Sequence, residues 1–144
     1  MRKLLAISVI LIVLISIPIV ISQPIMKDVK FINPDGSFSG YIGFPKQQNP
    51  IIIGNISGIY KLGKRGGGFN ASWDIEYKNH SGSGIVRGFF GKHIMLGKLS
   101  VEGFNKTLRV IGFIGFDKVN QTFKGRAMSI IGPALYFWGE YEPY

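Results

Sequence analysis

Asp74 and Glu76 are the two residues of this chain whose types and spacing come closest to a catalytic pair. On one β-strand they would point to the same face, with Cα atoms about 6.7 Å apart. Glycosidases use two carboxyl groups at separations of about 5 to 9.5 Å, so a glycoside hydrolase stays open as the least favoured alternative. The same face would carry Asn70 and Lys78, as an ordinary solvated surface does. We therefore expect a protein that is not an enzyme.

Residue types that other catalytic or metal sites need are scarce. The histidines are His80 and His93, and neither lies in a local motif of a Ser-His-Asp site. The absence of cysteine excludes disulfides, thiolate metal sites and a cysteine nucleophile. We predict no metal site and no cofactor.

Positive charge dominates the ionisable residues. The chain holds 17 Lys and Arg against 8 Asp and Glu, which gives a net charge of +9. The densest cluster, Lys61, Lys64 and Arg65 beside glycines 66–68, is a candidate anion-binding loop. It lacks the Gly-Lys-Ser/Thr ending and the following helix of a phosphate loop. A solvated hairpin loop is the favoured interpretation.

Aromatic residues concentrate in the last eleven positions, ALYFWGEYEPY. Tyr136, Trp138 and Tyr141 are candidates for stacking against a sugar, or for closing the mouth of a barrel over an apolar ligand. A last strand packed between the core and a second copy of the protein would explain the same residues.

Five of the seven asparagines begin Asn-X-Ser/Thr triplets, where chance would produce roughly 0.6. These candidate glycosylation sites are Asn55, Asn70, Asn79, Asn105 and Asn120. The alternative is that Asn, Gly and Ser gather in turns for conformational reasons. We predict that at least two of the sites are used, which requires an extracellular location.

The N-terminus supports export. Residues 4–22 carry no charge, are nearly all Leu, Ile and Val, and follow Arg2 and Lys3. Residues 1–22 therefore form a signal peptide or an uncleaved membrane anchor, a hydrophobic helix in either case. Cleavage before Gln23 is favoured, because Pro18 would break the helix shortly before that point. Both alternatives place the rest of the chain outside the cell, with the N-terminus in the cytoplasm if the segment is uncleaved.

The remaining chain predicts a tether at residues 23–35 and one all-β domain at residues 36–144. All 20 glycines lie from Gly36 onward, too closely spaced for ordinary helices. Strict alternation between Phe69 and Lys78 marks one strand, and residues 79–83 have the composition of a turn. Similar signals predict about eight short antiparallel strands in a meander, which closes as a barrel or as a two-sheet sandwich.

An apolar residue followed two positions later by glycine recurs at irregular intervals in this domain, with six examples at 38–40, 56–58, 86–88, 101–103, 123–125 and 137–139. Ligands or partner backbones approach closely at strand glycines, but bends of a small coiled sheet are the favoured explanation. The intervals between these apolar-X-Gly triplets are too irregular to define a repeat.

Two functions follow from these features. The leading hypothesis is a cell-surface or envelope role without catalysis, in adhesion, assembly or structure. The alternative is a barrel that binds a small ligand or carbohydrate through its aromatic C-terminal strand. The expected partners are envelope components or copies of the chain itself, together with anionic polymers or carbohydrate. Nucleic acid is not expected outside a cell, and membrane contact is expected only through the N-terminal segment.

Overall fold

The structure, a computed structural model, describes residues 31–44, 49–129 and 134–144. Eight antiparallel strands pair in sequence order, and β8 pairs with β1 to close a barrel. The strands are β1 Gly36–Phe44, β2 Ile51–Gly63, β3 Gly66–Tyr77, β4 His80–Phe90, β5 Ile94–Val101, β6 Thr107–Asp117, β7 Thr122–Ser129 and β8 Leu135–Pro143. The predicted all-β meander is confirmed, and of its two possible closures the barrel is the one formed.

The predicted N-terminal helix at residues 1–22 lies outside the described residues, as does most of the tether at 23–35. Among the residues that are described, no helix has the length and apolar character needed to span a bilayer.

Alternating side chains give the barrel wall two different faces. On β3, Phe69, Ala71 and Trp73 are buried, while Ser72 and Asp74 are exposed. Successive side chains of a strand point to opposite faces of its sheet, so the buried apolar side chains of each strand point to the interior of the closed barrel. The core is therefore the lining of the barrel.

Glycines lie directly opposite the inward aromatic rings. Seven such cross-strand pairs join Phe38 to Gly58, Tyr60 to Gly36, Phe69 to Gly88, Trp73 to Gly84, Phe90 to Gly67, Phe123 to Gly139 and Phe137 to Gly125. A side-chain carbon added at Gly67, Gly84 or Gly125 would meet the ring of its partner. The missing side chains thus leave the space in which the rings lie.

This pairing explains the recurrent spacing of an apolar residue and a glycine two positions later. Positions two apart on a strand share a face, so Phe123 and Gly125 both point inward, as do Phe38 and Gly40. The exception is Gly103, which lies in a turn with a φ of 79°. The spacing is a consequence of barrel packing, in agreement with the absence of a true repeat.

Two local predictions are wrong. The turn expected at residues 79–83 is confined to Lys78 and Asn79, because Lys78 adopts a φ of 55° and β4 already begins at His80. The glycines at 66–68, expected in a loop, belong to β3 and pair with residues of β2 and β4. In both places a high content of small residues indicated a loop. These residues instead lie in strands, where the absence of a side chain at Gly67 and Gly84 makes room for the rings of Phe90 and Trp73.

Asp35, just before β1, is hydrogen-bonded both to β2 and to Tyr144. The backbone N–H of Asp35 donates to the carbonyl oxygen of Tyr60 at 2.9 Å, and that of Tyr144 donates to the carbonyl oxygen of Asp35 at 2.9 Å. The Asp35 carboxylate also accepts a hydrogen bond from the N–H of Leu62 at 2.6 Å. These bonds fix the end of the barrel at which β1 begins and β8 ends.

Candidate functional site

The interior of the barrel contains a cavity of about 1570 Å³. All eight strands contribute to its wall, which is mostly aliphatic and aromatic. Ligand sites are mostly apolar cavities of about 300 to 1,000 Å³, and an eight-stranded barrel is wide enough to be filled by side chains or to hold one small ligand. Inward glycines explain why side chains do not fill this lumen.

Few polar groups interrupt the apolar wall. Trp73 is 7% exposed, and its indole Nε1 has no hydrogen-bond partner in the described part of the chain. Tyr60 is 8% exposed, and burial raises the pKa of its phenol, with smaller contributions from Tyr141, Asp35 and Tyr144. The Tyr141 hydroxyl lies 3.4 Å from the carbonyl oxygen of Asp117. The lumen offers a ligand apolar contact with a few directional groups.

The two mouths of the lumen differ in charge. Mouth A is the end at which β1 begins, and Arg65, Lys92 and Lys118 line the cavity there, against one carboxylate, Asp35. Mouth B is the opposite end, where Lys106 is balanced by a carboxylate, Glu102, that accepts a hydrogen bond from Ser83 at 2.7 Å. Mouth A is therefore the electropositive end.

A row of aromatic rings crosses mouth A. The ring of Phe116 lies 5.4 Å from that of Phe90 and 5.9 Å from that of Tyr141, and Tyr141 in turn lies 6.2 Å from Tyr60. Phe90 and Phe116 come from β4 and β6, which are not neighbours in the sheet, so these rings reach over β5. The row separates the charged rim from the apolar lumen.

The aromatic residues of the C-terminal strand are divided between the two faces of the wall. Tyr141 lines the lumen, whereas Tyr136 and Trp138 occupy the alternate positions and point outward. The Trp138 ring lies 6.2 Å from that of Tyr41, and the guanidinium of Arg126 lies 5.7 Å from the ring of Tyr136. The structure therefore does not bring the three candidate stacking residues together.

The predicted cation cluster is also divided. Lys61 is part of β2, and its ammonium group donates to the carbonyl oxygens of Ile32 at 2.6 Å and Asn33 at 2.9 Å. Lys64 and Arg65 form the β2–β3 turn, and of the three only Arg65 lines the cavity. The residues that join Arg65 at mouth A, Lys92 and Lys118, come from other turns and were missed by the sequence analysis, since no local pattern connects the three turns.

Asp74 and Glu76 lie on the outer face of β3, on the same side, as alternation predicted. Both are exposed, and Asp74 accepts a hydrogen bond of 3.3 Å from the Nδ2 of Asn55. The wall of the barrel separates them from the lumen. No group of three or more His, Cys, Asp or Glu residues in the described ranges is placed to hold a metal ion.

The five glycosylation candidates lie on the outside or at the ends of the barrel. Asn79 and Asn105 are exposed in the β3–β4 turn and the β5–β6 loop. Asn55 is exposed on β2, and Asn70 is half-buried on β3, where its Oδ1 accepts a 3.3 Å hydrogen bond from the Nε of Arg87. Use of these sites stays a prediction.

Asn120 is the most constrained candidate. Its backbone N–H and Nδ2 donate to the two carboxylate oxygens of Asp117 at 3.1 and 2.9 Å, and Val119 adds a third bond of 3.0 Å. The hydrogen bond from the Asn120 side chain, followed by the backbone bonds, lowers the pKa of Asp117. The Asp117 carboxylate thus caps the β6–β7 turn, and Asn120 is one of its donors.

Comparison with protein-family models, curated proteins and solved structures found no match to this chain. Closed barrels serve many functions, and a fold alone does not determine which. The function is therefore inferred from the cavity and from the charges at its mouths.

Proposed function

We propose that this protein binds one predominantly apolar small molecule inside its barrel. The observation that carries the proposal is the 1570 Å³ lumen, whose wall is apolar from one mouth to the other. Burial of apolar surface contributes roughly 25 cal/mol per Å², so a molecule that fills this space would be held without any strong polar contact. The binding residues would be those of the lumen, with Trp73 and Tyr60 as the polar groups within it.

The charges at mouth A support an anionic end on the ligand. Among the described residues that line the cavity, Arg65, Lys92 and Lys118 outnumber Asp35 at mouth A, whereas Lys106 and Glu102 balance at mouth B. An elongated amphiphile, such as a long-chain carboxylic acid, would lie with its carboxylate among these cations and its chain in the lumen. This arrangement keeps the charge in water and buries only the apolar chain.

A naturally fluorescent polyene fatty acid provides the test. We expect saturable binding with enhanced fluorescence, and tighter binding of the acid than of its methyl ester. Replacing both Lys92 and Lys118 by glutamine should remove most of that difference, because the carboxylate keeps only Arg65 of its three counter-charges. No saturable binding of either probe would refute the proposal, and equal binding of acid and ester would refute the anionic end alone.

The variant Gly82→Trp tests the location of the bound probe. A side-chain carbon at Gly82 would meet only the Trp73 ring, at 3.7 and 3.8 Å, so the position accepts a side chain without strain. The new indole would occupy the lumen, and we expect the affinity to fall at least tenfold, or about 1.4 kcal/mol. Gly115→Trp, on the outer face of β6, is the matched control and should bind as the unmodified protein does. Equal loss in both variants would place the probe elsewhere.

The location we propose is outside the cell, as a glycoprotein. Support comes from the apolar N-terminal segment and the five Asn-X-Ser/Thr triplets. The intact mass of the protein isolated from its native cells is expected to correspond to a chain that begins at Gln23 with sugar increments. A full-length mass without sugar would contradict cleavage and glycosylation together. An adhesive or structural role at the envelope remains compatible with this location.

A further inference from the structure

The outer surface of the barrel has two contrasting sides. On β1 to β3 it is mostly polar, with Ser57 and Ser72 in contact at 3.4 Å and Asp74 and Glu76 exposed nearby. The exposed apolar side chains there, Tyr41 and Ile52, do not pair with each other across the strands. On β4 to β7 six large apolar side chains are exposed by 36 to 74% of their surface. They are Phe89, Ile94, Leu96, Ile111, Phe113 and Met128. Exposed apolar groups are normal when scattered, so their arrangement decides whether they matter.

These side chains form one continuous patch. Strand pairing places Leu96 opposite both Phe89 and Ile111, and Ile111 opposite Met128, which makes a row across four strands. Ile94 and Phe113 pair to form a second row beside the first. Directly paired side chains of neighbouring strands are within contact distance. A contiguous apolar patch of this kind marks an interaction surface.

A row of cations borders the patch. Lys98 pairs with Arg87 on one side and with Arg109 on the other, so the residue in the centre faces two like charges. Like charges directly opposite each other destabilise a sheet. This row lies two residues along each strand from the apolar row, about 6.7 Å away. We call the six apolar residues and these three cations the apolar–cationic face.

We infer that the apolar–cationic face binds the surface of a membrane that contains anionic lipids. The rows match the layers of such a surface, since the exposed apolar side chains would enter the upper acyl region while the exposed Lys98 and Arg109 meet the lipid phosphates. Arg87 is half-buried and bonded to Asn70, so it adds positive charge at the edge of the face rather than a direct phosphate contact. A second copy of the chain is a poorer fit, because a two-fold dimer through this face would bury the apolar rows and bring no anion to the cations. Asn70 borders the face, since it pairs with Arg87, and the other four glycosylation candidates lie outside it.

This membrane contact is separate from the N-terminal segment and does not depend on ligand binding in the lumen. The absence of cysteine permits a direct test in the full chain, since one introduced cysteine can carry a label. Phe113→Cys places an environment-sensitive nitrobenzoxadiazole label on the face, and Ile52→Cys places it on β2, where the native side chain is 52% exposed. The labelled proteins are mixed with vesicles of phosphatidylcholine alone, or of phosphatidylcholine and phosphatidylglycerol in equal parts.

With the phosphatidylglycerol vesicles, the label at position 113 is expected to brighten and shift to shorter wavelength, and the label at position 52 is not. Replacing both Lys98 and Arg109 by glutamine should move the equilibrium toward the free state by roughly fivefold per cation, about 25-fold in all. Lys64→Gln with Lys78→Gln removes the same charge from the turns and should leave the signal unchanged. The Lys98 and Arg109 variant should unfold at the same or a higher temperature, because a like-charge contact is relieved.

Three results would overturn the inference. Equal spectral shifts with both vesicle compositions would show that lipid charge plays no part. Equal shifts at positions 52 and 113 would show that no particular face is used. A shift at position 113 that rises with protein concentration when no vesicles are present would identify the face as a contact between copies of the chain.

Discussion

Gly125→Val is expected to destabilise the barrel by about 3 kcal/mol, the upper end of the range for overpacking a well-packed site. A side-chain carbon at this position would fall on the Phe137 ring, and it would lie 2.5 Å from the carbonyl oxygen of Phe113. The ring lines the lumen and can turn toward it, but the carbonyl belongs to the backbone of β6 and cannot move without disturbing the sheet. Urea unfolding followed by tryptophan fluorescence measures the change.

Gly115→Val is the matched control on the neighbouring strand. The nearest atom to an added side-chain carbon there is the carbonyl oxygen of Lys124 at 4.0 Å. Valine loses less conformational entropy than glycine on folding and favours strands, so this variant should be neutral or more stable by up to about 1 kcal/mol. Similar losses in both variants would show that the space at Gly125 is not what the Phe137 ring requires.

Phe123→Ala is expected to cost about 3 kcal/mol, within the range for removing a buried phenylalanine side chain. Phe123 is 6% exposed and lies on β7 between two other rings. It meets Phe38 edge to face at 5.6 Å and Phe137 at 6.3 Å. Since Phe38 and Phe137 lie on β1 and β8, this ring supports the seam at which the barrel closes.

Lys124→Ala is the control for this substitution, since it removes the next side chain of β7, which is exposed on the outer face. Surface substitutions of this kind stay within about 0.5 kcal/mol. The free energies of unfolding of both variants can be compared in the same urea titration. A loss below about 1 kcal/mol for Phe123→Ala would contradict a structural role of the aromatic cluster at the seam.

Much of the fold could be predicted from the sequence because each strand pairs with its neighbour in the chain. The strict alternation from Phe69 to Lys78 predicted most of β3, which begins three residues earlier, at Gly66, and ends at Tyr77. Barrel and sandwich could not be separated, because the deciding contact joins β1 to β8 and leaves no local pattern. The serines and glycines after Asn79 indicated a longer turn than the one formed. Composition alone does not reveal that Gly82 and Gly84 belong to a strand and lie beside the Trp73 ring.

The candidate site was less predictable than the fold. An aromatic ligand surface was expected on the C-terminal strand, but Tyr141 and Trp138 point to opposite faces of that strand. Which of the two faces the lumen is decided by the pairing of β8 with β1 and β7. The cavity depends on the space that glycines leave between rings, which is a property of all eight strands together. Arg65, Lys92 and Lys118 meet at one mouth because three separate turns lie at the same end of the barrel.

The seam between β1 and β8 also affects how the chain can fold as it is made. Seven of the eight strand pairings form between neighbours in sequence, whereas the seam joins Gly36 to Pro143 and Gly43 to Tyr136. Until the last strand has been synthesised, β1 and β7 remain open edges that can pair with other chains. Bringing distant segments together also costs loop-closure entropy, which makes this step slow compared with hairpin formation. The barrel therefore gains its protection against aggregation in a single step, when β8 pairs with β1 and β7.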